Sequence, residues 1–154
     1  GENIDVLLTH GHAELLNLYG EKTIALPPNI QLISMPFVSQ DEYDWMLSQC
    51  DFNIVRGEDS FLRAQLAGKP FIWHIYPQED RAHEVKLAAF LDLYLENASQ
   101  ELRLAAIAAM TWAMPSEWLK SLETWNNHSK AWRAHILKTQ GDGGLASRLV
   151  RFIA

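Results

Sequence analysis

Four short apolar runs, residues 4–9, 30–34, 52–55 and 70–74, recur through the first half of the chain, and each ends in polar or turn residues. Runs of this length, bounded in this way, read as strands. Between the later runs lie two helical patterns: residues 41–49 carry Tyr43, Met46 and Leu47 on one face, and residues 59–67 carry Phe61, Leu62 and Leu66, with Gly68 placed to close the second. Strands that alternate with helices of this size build βαβ units, so the chain is expected to be an α/β protein with a parallel sheet.

Beyond Pro77 the pattern is wholly helical. One helix is expected over 79–96, an alanine-rich one over 101–113, and a third that restarts at Pro115-Ser116 and runs to about residue 140. Gly141-Asp142-Gly143-Gly144 should break it, and a short helix from Leu145 should finish the chain. Trp118, Trp125 and Trp132 recur every seven residues, with Leu122 and Ile136 in the same stripe. Such spacing marks a helix face packed inward; the competing reading is a contact surface for a partner domain.

At 154 residues the chain suits one compact domain, 1–154, and its hydrophobic share of 48% and charged share of 21% are those of a globular protein. No apolar run is long enough to span a bilayer, so no membrane partner is expected. A single cysteine, Cys50, excludes an intrachain disulfide framework and fits a reducing cytoplasm. Residues 1–99 carry 6 Lys or Arg against 15 Asp or Glu, a balance of −9, and residues 100–154 carry 7 against 4, a balance of +3. An acidic chain with no basic stripe is a poor nucleic-acid binder, because phosphate contacts dominate that affinity. The sequons Asn97-Ala98-Ser99 and Asn127-His128-Ser129 are read as chance, and the opening Gly1-Glu2-Asn3 suggests a piece of a longer protein.

The residues suited to chemistry gather at strand ends. Arg56-Gly57-Glu58-Asp59-Ser60 follows the third strand and opens a helix, which is where open α/β sheets bind ligands. Arg56 can fork onto a phosphate, Gly57 admits a close backbone approach, and Asp59 or Ser60 can cap the helix while its N–H groups face an anion. Glu58 can accept from sugar or ribose hydroxyls. A capped helix with a local Arg–carboxylate pair explains the pentapeptide equally well. Its neighbours favour the ligand: Phe37, Gln40 and Tyr43 at one junction could stack on and hydrogen-bond a base, and Tyr76 and Gln78 at another could reach the same crevice. A hydrophobic staple is the plainer account of the first junction. His10, His12 and His74 lack a carboxylate or cysteine at ligand spacing, so no metal is expected, and His83 with Lys86 reads as a solvated helix face. No nucleophile elbow, Walker loop or dinucleotide fingerprint is present, which sets aside hydrolase, ATPase and dehydrogenase readings.

These residues, as Pro36-Phe37-Val38, Gln40, Tyr43-Asp44, Cys50-Asp51, Asn53, Val55 through Phe61, Arg63-Ala64-Gln65, Gly68 through Phe71, Trp73 through Gln78, His83 and Lys86, closely resemble the bacterial elongation factor P arginine rhamnosyltransferase family, EarP. The resemblance implies the C-terminal, donor-binding half of a GT-B glycosyltransferase: a Rossmann-like parallel sheet flanked by helices, with a helical C-terminal third. It implies inverting, metal-independent transfer of rhamnose from dTDP-β-L-rhamnose to an arginine of translation elongation factor P, with no cofactor. Carried across, Arg56, Asp59, Ser60 and Tyr76 would address the diphosphate, Glu58 the nucleotide sugar in a supporting catalytic role, and Phe37, Gln40 and Tyr43 the thymine. The general base and much of the acceptor site would belong to an N-terminal domain absent from this chain, so the fragment is expected to be inactive alone. A non-catalytic α/β module that docks a partner through its tryptophan helix, or a GT-B domain for another sugar nucleotide, are the alternatives.

Overall fold

The computed structural model describes residues 3–9, 27–113 and 118–140. His10, His12, the Pro115-Ser116 helix start, the glycine break after residue 140 and the helix from Leu145 lie outside the described residues, as does the side chain of Trp118. Two compact units make up the chain, Gly1–Tyr43 and Asp44–Ala154.

In the first unit β1 (Ile4–Leu8) and β2 (Ile30–Ser34) pair in parallel, from Ile4 opposite Ile30 to Leu8 opposite Ser34. The turn before β2 closes with the Ile30 N–H donating to the Pro27 carbonyl at 2.9 Å. Helix α1 (Gln40–Gln49) starts here, and Ser39 is its cap: the Glu42 N–H donates to Ser39 Oγ at 3.3 Å while Glu42 Oε2 accepts from the Ser39 N–H at 2.8 Å. This reciprocal box satisfies two otherwise orphaned donors. Phe37, at 87% exposure, is not part of a hydrophobic staple.

In the second unit β3 (Asn53–Val55), α2 (Glu58–Ala67) and β4 (Phe71–Trp73) form a βαβ unit with parallel strands, Val55 lying opposite Trp73. Parallel pairing is as the sequence suggested, with one described pair in each unit. Both strands here are short. Asn53 anchors the start of β3: its N–H donates to the Pro70 carbonyl at 3.0 Å and its side-chain amide to the Leu47 carbonyl at 2.9 Å. Gly68 ends α2 at φ 69°, a left-handed conformation that L side chains resist, and a Cβ there would lie 2.8 Å from Arg133 Cδ.

Three longer helices follow, α3 (Ala82–Tyr94), α4 (Gln100–Met110) and α5 (Leu122–Gln140), the last preceded by a 3-10 turn over Trp118–Ser121. The first of them starts three residues later than the sequence suggests, because Arg81 sits in the left-handed region at φ 58° and Asp80 Oδ1 accepts from the Ala82 N–H at 3.0 Å. Ser99, the last residue of a sequon, caps α4 by accepting from the Leu102 N–H at 3.2 Å. The alanines of α4 let it approach β4 closely, and Ala106 and Ala109 are fully buried. Phe61 stacks on Trp73 with ring centroids 3.8 Å apart and meets Phe90 edge-on at 4.8 Å, so α2, β4 and α3 share one aromatic core.

Of the tryptophan stripe, Trp125 and Trp132 face inward as the spacing suggests. Trp125 is fully buried and donates to the Tyr94 hydroxyl at 3.0 Å, and half-buried Trp132 donates to Gln65 Oε1 at 3.0 Å. Each buried indole thus brings its own acceptor. Burial pushes the Cys50 thiol up, aided by the adjacent Asp51 carboxylate. Among the described residues no helix is long and apolar enough to cross a membrane, and no group of three His, Cys, Asp or Glu could hold a metal ion.

Candidate functional site

The strand β3 ends at Val55, whose carbonyl accepts from the His74 N–H at 2.8 Å, so Arg56 and His74 leave neighbouring strands side by side. Arg56 is fixed from two directions. Its carbonyl accepts from Trp73 Nε1 at 3.1 Å, and its guanidinium carbon lies 4.2 Å from the centre of the Tyr76 ring. A cation over an aromatic face is held without an anion. Arg56 Nε is buried and has no hydrogen-bond partner, although a buried donor left unpaired costs about 1–3 kcal/mol. No carboxylate of the described residues pairs with this arginine.

The helix that follows starts without a side-chain cap. Gly57 is the N-cap residue, in an extended conformation, and the first helical bond runs from the Phe61 N–H to the Gly57 carbonyl at 2.9 Å. Neither Asp59 nor Ser60 caps, contrary to the expectation, since both fall inside the first turn. The N–H groups of that turn therefore point out of the helix start with the positive end of its dipole. A Cβ on Gly57 would meet no atom within 4 Å, so here the backbone can be approached directly.

Asp59 turns its carboxylate to Arg63, whose Nε donates to Oδ2 at 2.7 Å, and the same guanidinium grips Asp44 at 2.9 and 2.8 Å. The local Arg–carboxylate pair foreseen for Arg56 therefore belongs to Arg63, which is four residues from Asp59 on one helix face. These two carboxylates raise the Arg63 pKa. A groove of about 520 Å³, lined by Trp45, Leu62, Arg63 and Arg133, opens on that side and shares only Asp59 with the expected site. Arg63 in this lining is taken up by Asp44 and Asp59, and the uncapped helix start beside Arg56 is not part of it.

Glu58 has a partner on another helix. Its Oε1 accepts from Lys86 Nζ at 3.2 Å, which ties the start of α2 to α3. Ser60 is half-buried in the first turn, and Tyr76 is 55% exposed over Arg56. Phe37, Gln40 and Tyr43 belong to the first unit, where Phe37 and Gln40 are exposed and Tyr43 half-buried. Arg56, Gly57, Glu58, Ser60 and Tyr76 are thus brought to one end of the β3–β4 pair, and Asp59 contributes its backbone there.

Sequence reasoning missed three residues around this crevice. Lys86 holds Glu58, and His83 Nδ1 accepts from the Gln78 N–H at 2.9 Å, although both read as solvated. Their spacing of three residues on one helix face was the available signal. Trp112, half exposed and in the left-handed region at φ 58°, meets the His74 ring edge-on at 4.8 Å. A bulky residue at positive φ is uncommon, and nothing in its local sequence announces it.

A family model described as Elongation-Factor P (EF-P) rhamnosyltransferase EarP matches residues 9–154. A protein-arginine rhamnosyltransferase of Shewanella oneidensis is 40% identical over 136 residues, which are 81% of this chain and 33% of that protein. One of Pseudomonas putida is 41% identical over 126 residues, 77% of this chain and 33% of that protein. The chain spans about 33% of the length of these curated relatives. Among solved structures, one described as the structural basis for EarP-mediated arginine glycosylation of translation elongation factor EF-P superposes with a TM-score of 0.74 at 33% identity, over 99% of this chain and 52% of that one.

Proposed function

Because this chain belongs to the EF-P rhamnosyltransferase family EarP, we propose that it is the donor-binding part of an inverting protein-arginine rhamnosyltransferase, a GT-B enzyme that takes rhamnose from dTDP-β-L-rhamnose and places it on an arginine of translation elongation factor P. The observation that carries this reading is Arg56: a guanidinium with an unpartnered buried Nε, held over Tyr76 beside an uncapped helix start. A cation, outward N–H groups and a glycine with open space over its Cα make an anion site that suits a diphosphate.

In the transfer, the acceptor guanidinium nitrogen attacks the anomeric carbon, the bond from that carbon to the diphosphate oxygen breaks, and a proton leaves the nitrogen for a base. Negative charge grows on the departing dTDP. In this reading Arg56 and the start of α2 stabilise it, and as preformed groups they do so without reorganising. This charge-bearing role is what makes a cofactor and a metal unnecessary in the proposed mechanism. Glu58 accepts from hydroxyls of the nucleotide sugar, Ser60 and the Asp59 N–H support the diphosphate, and Phe37, Gln40 and Tyr43 take the thymine. The base must face the acceptor opposite the leaving group, and we place it in an N-terminal domain outside this chain. The reaction would take place in the cytoplasm, with elongation factor P and that domain as partners and with neither nucleic acid nor membrane.

Titration of the labelled chain with dTDP, followed by backbone amide NMR, tests the reading. Shifts are expected at Arg56 through Ser60, at Tyr76 and at Phe37 through Tyr43, with weaker response to UDP. An unresponsive Arg56–Ser60 segment would sink the donor assignment, and rhamnosylation of elongation factor P by this chain alone would refute the placement of the base.

A further inference from the structure

The start of α3 is held more firmly than a surface helix needs. The Arg81 N–H donates to the Gln78 carbonyl at 3.0 Å, and Arg81, left-handed at φ 58°, forks onto Glu84 through Nε at 2.9 Å and Nη2 at 2.6 Å. Asp80 takes the Ala82 N–H at 3.0 Å. Together these contacts define the start of α3, which carries two side chains bonded to residues near the strand ends.

Those side chains are His83 and Lys86, three apart and therefore on one face. His83 Nδ1 accepts from the Gln78 N–H at 2.9 Å, which pins the end of the loop that carries Tyr76. Lys86 Nζ lies 3.2 Å from Glu58 Oε1, a contact made across 28 residues of sequence. The Lys86 and Glu58 side chains are 47% and 77% exposed, and ion pairs so exposed add little to stability. What the contact does is give Glu58 a partner on α3, as His83 gives one to the backbone at the end of the Tyr76 loop.

We propose that the start of α3 is a positioning brace for the strand-end site: Lys86 orients Glu58 and His83 orients the Tyr76 loop, so that both face one nucleotide sugar. The inference rests on the donor reading given above. Neither residue touches the reacting atoms; each acts through the group it holds.

Calorimetric titration of this chain with dTDP-rhamnose tests the brace. Lys86→Met is expected to weaken binding about threefold to tenfold, Lys86→Arg to hold it within about twofold, and Lys86→Met to add nothing once Glu58→Gln is present. Additive losses in the double variant would mean that Lys86 meets the ligand itself, and would overturn the positioning role. His83→Ala should weaken binding by a similar factor and His83→Asn, whose side-chain oxygen can still accept from the Gln78 N–H, should restore it; an Asn variant as weak as the Ala one overturns the His83 half. Thermal midpoints should stay level across the Lys86 variants, and losses of affinity that track losses of stability would also overturn the brace. A wild-type chain that does not bind dTDP-rhamnose removes the donor reading itself, and is distinguished from failure of the brace because no variant is needed to see it.

Discussion

Around Tyr94 the buried polar groups satisfy one another: its hydroxyl pairs with Ser129 Oγ at 2.9 Å and accepts from Trp125 Nε1 at 3.0 Å, while His128 Nε2 donates to its carbonyl at 2.7 Å. At the carboxyl ends of β3 and β4 the pattern is reversed. Arg56 Nε is buried without a partner, α2 starts uncapped, and Gly57 faces open space. Only Asn126 Oδ1 is left in a comparable state among the described residues of the helical layer. The same contrast holds between helix starts, since α1 is closed by its Ser39–Glu42 box, whose hydrogen bonds hold the Glu42 carboxyl below its usual range. The helical layer pairs its polar groups with one another, whereas at these strand ends Arg56 Nε and the start of α2 have no such partners among the described residues.

The largest effect expected from this contrast is on stability alone. Trp125→Ala removes a fully buried indole and its bond to Tyr94, and should cost about 3–5 kcal/mol in urea unfolding. A loss below about 1 kcal/mol would show that the layer is not the core described here. Arg56→Met should do the opposite, leaving the unfolding midpoint nearly unchanged while dTDP affinity falls about tenfold to a hundredfold, the usual effect of losing a charged hydrogen bond. If stability fell and binding did not, Arg56 would belong with the core.

Tyr94→Phe comes next, at about 1–2 kcal/mol for two buried hydrogen bonds. The same hydroxyl gives a pH signature. Burial pushes its pKa from the ordinary 10.0 up to about 12, with the Ser129 and Trp125 bonds opposing the rise. The folded protein therefore holds the proton more tightly than the unfolded chain, so this stability is intact below pH 10 and is lost as pH climbs towards about 12. Denaturation followed across that window should show a decline that Tyr94→Phe abolishes. Smallest is Gly57→Ser, which supplies the missing cap: stability should rise by a few tenths of a kcal/mol, while affinity for dTDP falls because a side chain now stands in the approach. A variant that gained stability without losing affinity would separate the helix start from the site.

Much of the fold was legible in the order of residues. The four strands and the helix closed by Gly68 lie within a residue or two of where alternation and turn chemistry put them, because those signals act within a few positions of the chain. The delayed start of α3 was not legible, since it depends on Arg81 adopting a left-handed conformation while Asp80 accepts from the Ala82 N–H. For the site, the sequence gathered Arg56 to Ser60 and Tyr76 at strand ends, and the structure brings Arg56 and Tyr76 into contact. It also turns the Asp59 carboxylate to Arg63, a pair that helical spacing allows, and adds Asp44 from 19 residues away, which no local pattern could foretell.

By itself, then, the sequence determined the α/β alternation, the helix end set by Gly68, and the gathering of charged and aromatic residues after β3 and β4. Only the tertiary structure decided which of those residues meet: Arg56 with Tyr76, Glu58 with Lys86 across 28 residues, and Gln65 with Trp132 across 67. Periodicity and capping are written in neighbouring residues, whereas the partner of a side chain is chosen by how whole elements pack, and that choice left Arg56 Nε buried beside an open helix start.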